Sequence, residues 1–161
     1  MASLFPRPCP QLPDYRSLLV KGLYHASAPV HLLLSHNTDD PEARAIFLTP
    51  RRDAIKNDLI DLNDAWISEY SGRGRNAAAA QKTETFYPPS LAHLRLLLSM
   101  LHEYDDVLHH AKTTLDTAPT LLVLHEISEY FTSQASDATV SAYLSVISSA
   151  MALTASWSPR W

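Results

Sequence analysis

The segment TLLVLHE, residues 120–126, constrains the fold of this chain more than any other. Four consecutive apolar residues, Leu121–Leu124, stand between a proline-bearing turn and the polar sequence HEISEY. A short run that is apolar on both faces is typical of a buried strand in a parallel sheet. We therefore expect a strand that crosses the core and ends at His125 and Glu126.

Two further apolar runs, at 29–36 (PVHLLLSH) and 44–50 (RAIFLTP), predict two more buried strands. The second run stops at a proline, which cannot continue a central strand. The connection between the two runs is too short for a parallel crossover, which takes about a dozen residues or more, so an antiparallel pair is expected here.

Amphipathic helices are predicted between and after the strands, because apolar residues recur at spacings of three and four. The first begins near Asp53, an acid suited to a first turn, and the second follows Ser90, a favourable N-cap. The apolar positions are Ile55, Leu59, Leu62, Trp66 and Tyr70 in the first helix, Leu91, Leu94, Leu97, Leu98, Leu101, Tyr104 and Leu108 in the second, and Val140, Tyr143, Leu144, Ile147 and Met151 in the third. Helices alternating with apolar strands indicate an α/β fold with a mainly parallel sheet.

Length and composition indicate one globular domain inside the cell. The chain has 161 residues, a net charge of −4 and a single cysteine, Cys9, so a disulfide framework is excluded. No apolar run approaches the roughly 20 residues that span a bilayer, so no membrane association is expected. We expect a proline-rich tail at 1–14 and a single domain at 15–161 with a mobile loop at about 71–85.

The sequence contains no phosphate-binding loop. Such a loop needs clustered glycines followed by Lys and Ser or Thr, and the three glycines, Gly22, Gly72 and Gly74, do not have that context. His125 stands where an ATP-binding sheet would place a magnesium-holding carboxylate, and imidazole is a poor ligand for that hard cation. Glu126 then has no bound phosphate to act on. We expect no cofactor, no metal and no catalysis.

Two small basic groups are candidates for DNA contact. Arg51, Arg52 and Lys56 follow a strand, and Arg73 and Arg75 lie in the glycine-bearing segment SGRGR. Arginines in such segments can follow a phosphate backbone without reading bases. Ordinary surface charge is the alternative interpretation, given the acidic balance of the chain.

Three blocks, taken in order, resemble a known family. AIFLTPRR, FYPPSLAHLRLLLSMLHE and APTLLVLHEISEYF are similar to the small RecA-like subunit of the Shu complex, the partner of a SWIM-domain zinc protein in homologous recombination. In that family a core strand ends in Phe-Leu-Thr and basic residues, Tyr-Pro-Pro-Ser opens a leucine-rich helix, and a Walker B-like strand runs into a turn. The blocks lie between Ala45 and Phe131, in roughly half of the chain.

The resemblance implies a nuclear recombinase-paralogue adaptor with a truncated RecA-like core. It implies a heterodimer with the SWIM-domain protein, contact with the recombinase filament and weak binding of single-stranded DNA. Two features depart from the family: the Walker A loop is absent and His125 replaces the Walker B aspartate. The chain also lacks the further strands of a RecA sheet, which a partner supplies or an incomplete gene sequence omits. Two alternatives stay open, a degenerate nucleotide-binding ATPase subunit completed by a partner and a plain α/β interaction scaffold.

Overall fold

The fold is α/β, with a small parallel sheet and flanking helices. The computed structural model describes residues 2–6, 8–22, 25–104, 110–132 and 139–157. The elements are α1 (Ala28–Asp39), β1 (Ala45–Leu48), α2 (Arg52–Leu62), α3 (Ala65–Tyr70), α4 (Gly74–Gln81), β2 (Thr83–Phe86), α5 (Leu91–Met100), β3 (His102–Glu103), β4 (Thr114–Leu115), β5 (Leu121–Leu124), α6 (Glu129–Thr132) and α7 (Val140–Trp157).

The main sheet has the strand order β2-β1-β5, with the first strand in the middle. The Ala45 N–H donates to the Lys82 carbonyl at 3.0 Å and the Thr49 N–H to the Phe86 carbonyl at 3.2 Å. Because the donors and acceptors advance together along the chain, β1 and β2 are parallel. The strands predicted at 44–50 and 120–126 are confirmed, because β1 and β5 lie within these segments. The strands β3 and β4 form a separate two-stranded parallel pair.

The predicted strand at 29–36 is wrong, because this segment lies in helix α1. Pro29 occupies the first turn, where its missing N–H costs no hydrogen bond. Leu32, Leu33 and Leu34 are all buried, so the run is apolar around most of the helix and carries no helical period to read. The antiparallel pairing expected for this segment is wrong for the same reason, because a helix pairs with no strand.

The segment 71–85, expected to be a mobile loop, contains α4 and the start of β2. Four consecutive alanines, the best helix formers, dominate α4, and Ala79 is buried. The glycines that suggested a loop lie only before this alanine run, with Gly74 as the first residue of α4.

Two of the three predicted helices have different ends from those expected. The first is divided at Asn63, whose φ of 47° ends α2, and Asp64 then caps α3. Asp53 lies in the first turn of α2 and Ser90 caps α5, both as predicted. Helix α5 ends at Met100, so Tyr104 is outside it, and Leu108 lies outside the described residues.

The third predicted helix is confirmed as α7, but its predicted core face is wrong. The buried side chains are Val146, Ala150, Leu153 and Trp157. Val140, Leu144 and Met151, which were expected in the core, are exposed. Both stripes repeat at spacings of three and four, so spacing alone does not choose between them.

The residues divide into two compact units. Unit 1 comprises 1–45 and 52–84, and unit 2 comprises 46–51 and 85–161. In unit 1, α1 packs against α4, and the buried Asn37 side chain donates to the Ala79 carbonyl at 3.0 Å. The core of unit 2 is formed by Ile46, Leu48, Leu91, Leu94, Leu98, Leu101, Leu115, Tyr130, Val146, Ala150, Leu153 and Trp157.

Candidate functional site

The carboxyl ends of β1 and β5 bring five polar or charged residues of unit 2 into one strand-end cluster. Its members are Thr49, Arg51, His125, Glu126 and Glu129. In open parallel sheets, ligands bind outside the carboxyl ends of the strands, so the cluster occupies the edge where a site is expected. His125 and Glu126 lie at this edge, as predicted from the sequence.

His125 is held by the sheet and by a side-chain hydrogen bond. Its N–H donates to the Leu48 carbonyl at 2.8 Å, and its Nδ1 lies 3.1 Å from the hydroxyl of the buried Thr49. The imidazole also packs against the Phe47 ring, with the centroids 5.5 Å apart, and His125 is only 9% exposed. The side chain therefore joins the two strand ends and fills space between them.

Glu126 forms the turn that follows β5. Its φ of 50° places it in the left-handed region, which is uncommon for a residue with a Cβ. Its carbonyl accepts a hydrogen bond from the Glu129 N–H at 2.9 Å, and α6 begins at Glu129. The strained turn brings the chain from the sheet directly into α6.

Two further contacts fix α6 in unit 2. Arg51 forms an ion pair with the Glu129 carboxylate, although its side chain is largely exposed. Tyr130 is buried and donates its hydroxyl proton to the Pro88 carbonyl at 2.6 Å. Burial, with the nearby Glu129 charge, raises the pKa of Tyr130 well above its usual range, so the phenol stays protonated as a donor. Arg51 is thus engaged with a carboxylate within the chain.

The other four DNA-contact candidates belong to unit 1 and differ in their surroundings. Arg52 and Lys56 are exposed one turn apart on α2. Arg73 pairs with Glu69 at 3.1 Å and lies over the Tyr70 ring, 4.2 Å from its centroid. The guanidinium of Arg75 donates to the Thr38 carbonyl at 3.2 Å. Arg52 and Lys56 have no ion-pair partner among the described residues, so their charges are the more available pair.

Unit 1 also contains a buried polar network around Asp64 that the sequence did not reveal. One carboxylate oxygen accepts from the Ser27 hydroxyl at 2.6 Å and lies 3.0 Å from Nε2 of His31. The other oxygen accepts from the N–H groups of Trp66 and Ile67 as the cap of α3. Ser27 precedes α1, so a single carboxylate connects the start of α1 to the start of α3.

The charge of Asp64 is stabilised by this network. Burial alone would raise the pKa of Asp64, but the hydrogen bonds from Ser27, His31 and the Ile67 amide outweigh it and hold the pKa well below the usual range. A sequence signal was present in the Asn63-Asp64 pair, a helix stop followed by a cap, but Ser27 and His31 are 37 and 33 residues away. Ser27 is fully buried, so the network ties helices together and does not present a nucleophile.

The outer face of α7 is an exposed apolar surface of unit 2. This face is formed by Val140, Leu144, Ile147 and Met151. Val140 is 77% exposed, Leu144 56% and Met151 57%. Among the described residues, α7 is also the one helix long and apolar enough to cross a membrane by length and composition. The same residues group no three His, Cys, Asp or Glu side chains that could hold a metal ion.

Comparison with known families, curated proteins and solved structures finds no match to this chain.

Proposed function

We propose that this chain is a non-catalytic, RecA-like adaptor of the recombinase-paralogue type. It binds a SWIM-domain zinc protein in the nucleus, and the pair promotes or stabilises recombinase filaments during homologous recombination. The outer face of α7 is the observation that supports a protein-binding role. Large apolar side chains grouped on one exposed helix face are typical of interaction surfaces.

The outer face of α7 is suited to helix packing. Helix α7 contains no charged residue between Val140 and Trp157, and its opposite face is already fixed in the core of unit 2. A partner that covers Leu144 and Met151 would remove two large apolar side chains from water, which contributes about 1.5–3 kcal/mol for each if burial is complete. That free energy would be one part of a subunit contact, since the whole interface must also offset the freedom that both proteins lose on association.

The side chains of the strand-end cluster are engaged with one another, which also supports an adaptor that catalyses no reaction. Thr49 and His125 bind each other across β1 and β5, and Arg51 is paired with Glu129. These contacts consolidate the sheet edge and α6. A phosphate-binding function at this edge would require His125 and Arg51 to exchange their present partners for a nucleotide.

The experiment that tests partner binding uses two matched double variants of α7. Leu144→Glu/Met151→Glu places two carboxylates on the outer face, and Ser145→Glu/Ala152→Glu places two at the same spacing on an exposed polar face. We expect the first variant to weaken co-purification with the co-expressed SWIM-domain protein at least about a hundredfold, since about 3 kcal/mol or more of apolar burial is lost. The second should bind as the unchanged chain does.

Two results would contradict this assignment. Equal binding by both double variants would remove the outer face of α7 from the interface. Flotation of the unchanged chain with lipid vesicles, combined with no affinity for the SWIM-domain protein, would assign α7 to a membrane instead.

The DNA-binding part of the proposal has its own test. We expect weak, salt-sensitive binding of a single-stranded oligonucleotide by the assembled pair, with the slope against log salt reduced by about 0.7 for each phosphate contact removed. Arg52→Ala/Lys56→Ala should reduce the slope more than Arg73→Ala/Arg75→Ala, because Arg73 and Arg75 are already engaged within the chain. Fluorescence anisotropy over a salt series measures both. Equal slopes for all proteins would exclude these residues from DNA contact.

A further inference from the structure

Residues 16–21 of unit 1, Arg-Ser-Leu-Leu-Val-Lys, form an exposed arm with an apolar centre. All six residues are exposed, with Leu18 at 43%, Leu19 at 74% and Val20 at 57%. Single apolar side chains on a surface are ordinary, but contiguous ones mark interaction sites. The arm is therefore a candidate contact surface.

The backbone of the arm is extended and unpaired. Residues 17–21 contain no helix, strand, turn or bend, and the chain bends only at Arg16 and at Gly22, on either side of them. No hydrogen bond joins the arm to any other residue that the structure describes. An extended segment with free N–H and C=O groups can add to the open edge of a sheet, where main-chain hydrogen bonds supply the affinity.

Unit 2 contains such an edge in β5, the outermost strand of the order β2-β1-β5. The His125 N–H donates to the Leu48 carbonyl of β1 at 2.8 Å. Alternate residues of a strand face the same neighbour, so the N–H and C=O groups of Leu122 and Leu124 face away from β1. All four side chains of β5 are apolar and none is fully buried. We call this side of the strand the β5 edge.

We propose that the arm of one copy of this chain adds to the β5 edge of a second copy as an antiparallel strand. Residues 18–20 would then lie opposite residues 122–124, in reverse order, so that apolar side chains face one another. In the same alignment Arg16 lies directly opposite Glu126. Cross-strand pairs of apolar residues and of opposite charges stabilise antiparallel strands.

Charge complementarity favours a second copy as the occupant of the β5 edge. The arm contains two cations, Arg16 and Lys21, and no acid. The whole chain has a net charge of −4, so the residues outside the arm together carry −4 − 2 = −6. Each copy thus has both a cationic arm and an acidic remainder that attracts it. An open apolar edge strand is also an aggregation hazard, which one added strand would cover.

The first test is sedimentation velocity of the full chain between about 1 and 100 μM, where we expect reversible self-association. Val20→Pro should weaken it about tenfold or more, because proline has no N–H to donate to Leu122. Leu19→Pro is the matched control, since the N–H of residue 19 faces away from the β5 edge and proline is tolerated at such positions of an edge strand. It should leave the affinity within about threefold.

The second test reverses the proposed charge pair. Arg16→Glu and Glu126→Arg should each weaken self-association, because each places like charges opposite one another. An equimolar mixture of the two variants should recover it, since each arm then meets an edge of opposite charge. Loss of structure in either variant does not predict this recovery, and circular dichroism spectra should match that of the unchanged chain.

Leu144→Glu/Met151→Glu separates this contact from the outer face of α7, on which the proposed function depends. That double variant should self-associate as the unchanged chain does, whatever its effect on binding of the SWIM-domain protein. Four results would each overturn the proposal: no self-association of the unchanged chain, equal effects of the two proline variants, no recovery in the mixture, or loss of self-association in the α7 variant.

Discussion

Asp64 shows how one side chain can organise two helices. Its carboxylate lies between α1 and α3 and receives hydrogen bonds from a hydroxyl and from two backbone amides, with His31 at 3.0 Å. A charged acceptor with several donors contributes more than a neutral one, and a buried carboxylate without them would be costly. The geometry of unit 1 near α3 thus depends on a charge that the chain itself stabilises.

The free energy of unfolding of unit 1 should therefore decrease as the pH falls into the acid range. Because the folded-state pKa of Asp64 is lowered, folding favours its ionised form. This contribution is fully present above the ordinary value of 3.8 and is lost as the pH falls from there towards the folded-state pKa. Chemical denaturation followed by tryptophan fluorescence, to which Trp66 of unit 1 contributes, should show this decline between neutral pH and pH 3.

The control for that prediction is another aspartate of the same unit. Asp64→Asn should lower the free energy of unfolding by about 1–3 kcal/mol at neutral pH and flatten its decline in acid. Asp58→Asn, on the exposed surface of α2, should change the free energy by less than about 0.5 kcal/mol. An acid limb of unchanged steepness in Asp64→Asn would show that other carboxylates cause it.

At the scale of elements, α7 is a helix with two apolar faces and different surroundings on each. One face packs into the core of unit 2 through Val146, Leu153 and Trp157, and the opposite face is exposed. A helix that is apolar on both sides is normally buried on both sides. The outer face is therefore the part of this fold that another surface is expected to cover.

The two faces of α7 can be distinguished by comparing the stabilities of a Leu153 variant and a Met151 variant. Leu153→Ala removes a buried side chain and should cost about 2–4 kcal/mol of unfolding free energy. Met151→Ala removes an exposed one of similar size and should cost less than about 0.5 kcal/mol in the isolated chain. Urea denaturation measures both. Similar losses for the two variants would mean that α7 is oriented differently.

These elements also show what the sequence could predict. β1 and β5 were found because each is a short apolar run with a turn signal at its end, a local pattern. The sequence of α1 predicts a strand wrongly, because a run that is apolar on nearly every side has no period that separates helix from strand. For α7, both stripes had a helical period, and only packing against Leu94 and Leu98 of α5 decides which is inside.

Only two residues of the candidate site, His125 and Glu126, can be placed from the sequence. His125 and Glu126 were placed at a strand end from local sequence, whereas the Thr49 hydroxyl that binds His125 lies 76 residues earlier in the chain. The pairing of Arg51 with Glu129 is equally remote in sequence. Such pairs depend on which strands become neighbours, and the order β2-β1-β5 is not contained in any local pattern.

At the scale of the whole molecule, charges and apolar surface are distributed between the two units. Unit 1 contains Arg52, Lys56, Arg73 and Arg75, and unit 2 contains the strand-end cluster and α7. The net charge of −4 means that DNA contact would rely on local basic groups and not on a general attraction. Four of the five candidate DNA contacts thus fall on unit 1, and the proposed partner contact falls on unit 2.

The division between the units also determines how this chain can be dissected. The chain passes from one unit to the other after Ala45, after Arg51 and after Glu84, so each unit is assembled from two separate stretches. A truncation after Glu84 keeps all of unit 1 together with residues 46–51 of unit 2, and a truncation that removes unit 1 from the N-terminal side also removes 46–51. A deletion that abolishes binding therefore does not by itself identify the unit responsible. Point variants on intact chains, like those at α7 and on α2, are the means of assigning an activity to either unit.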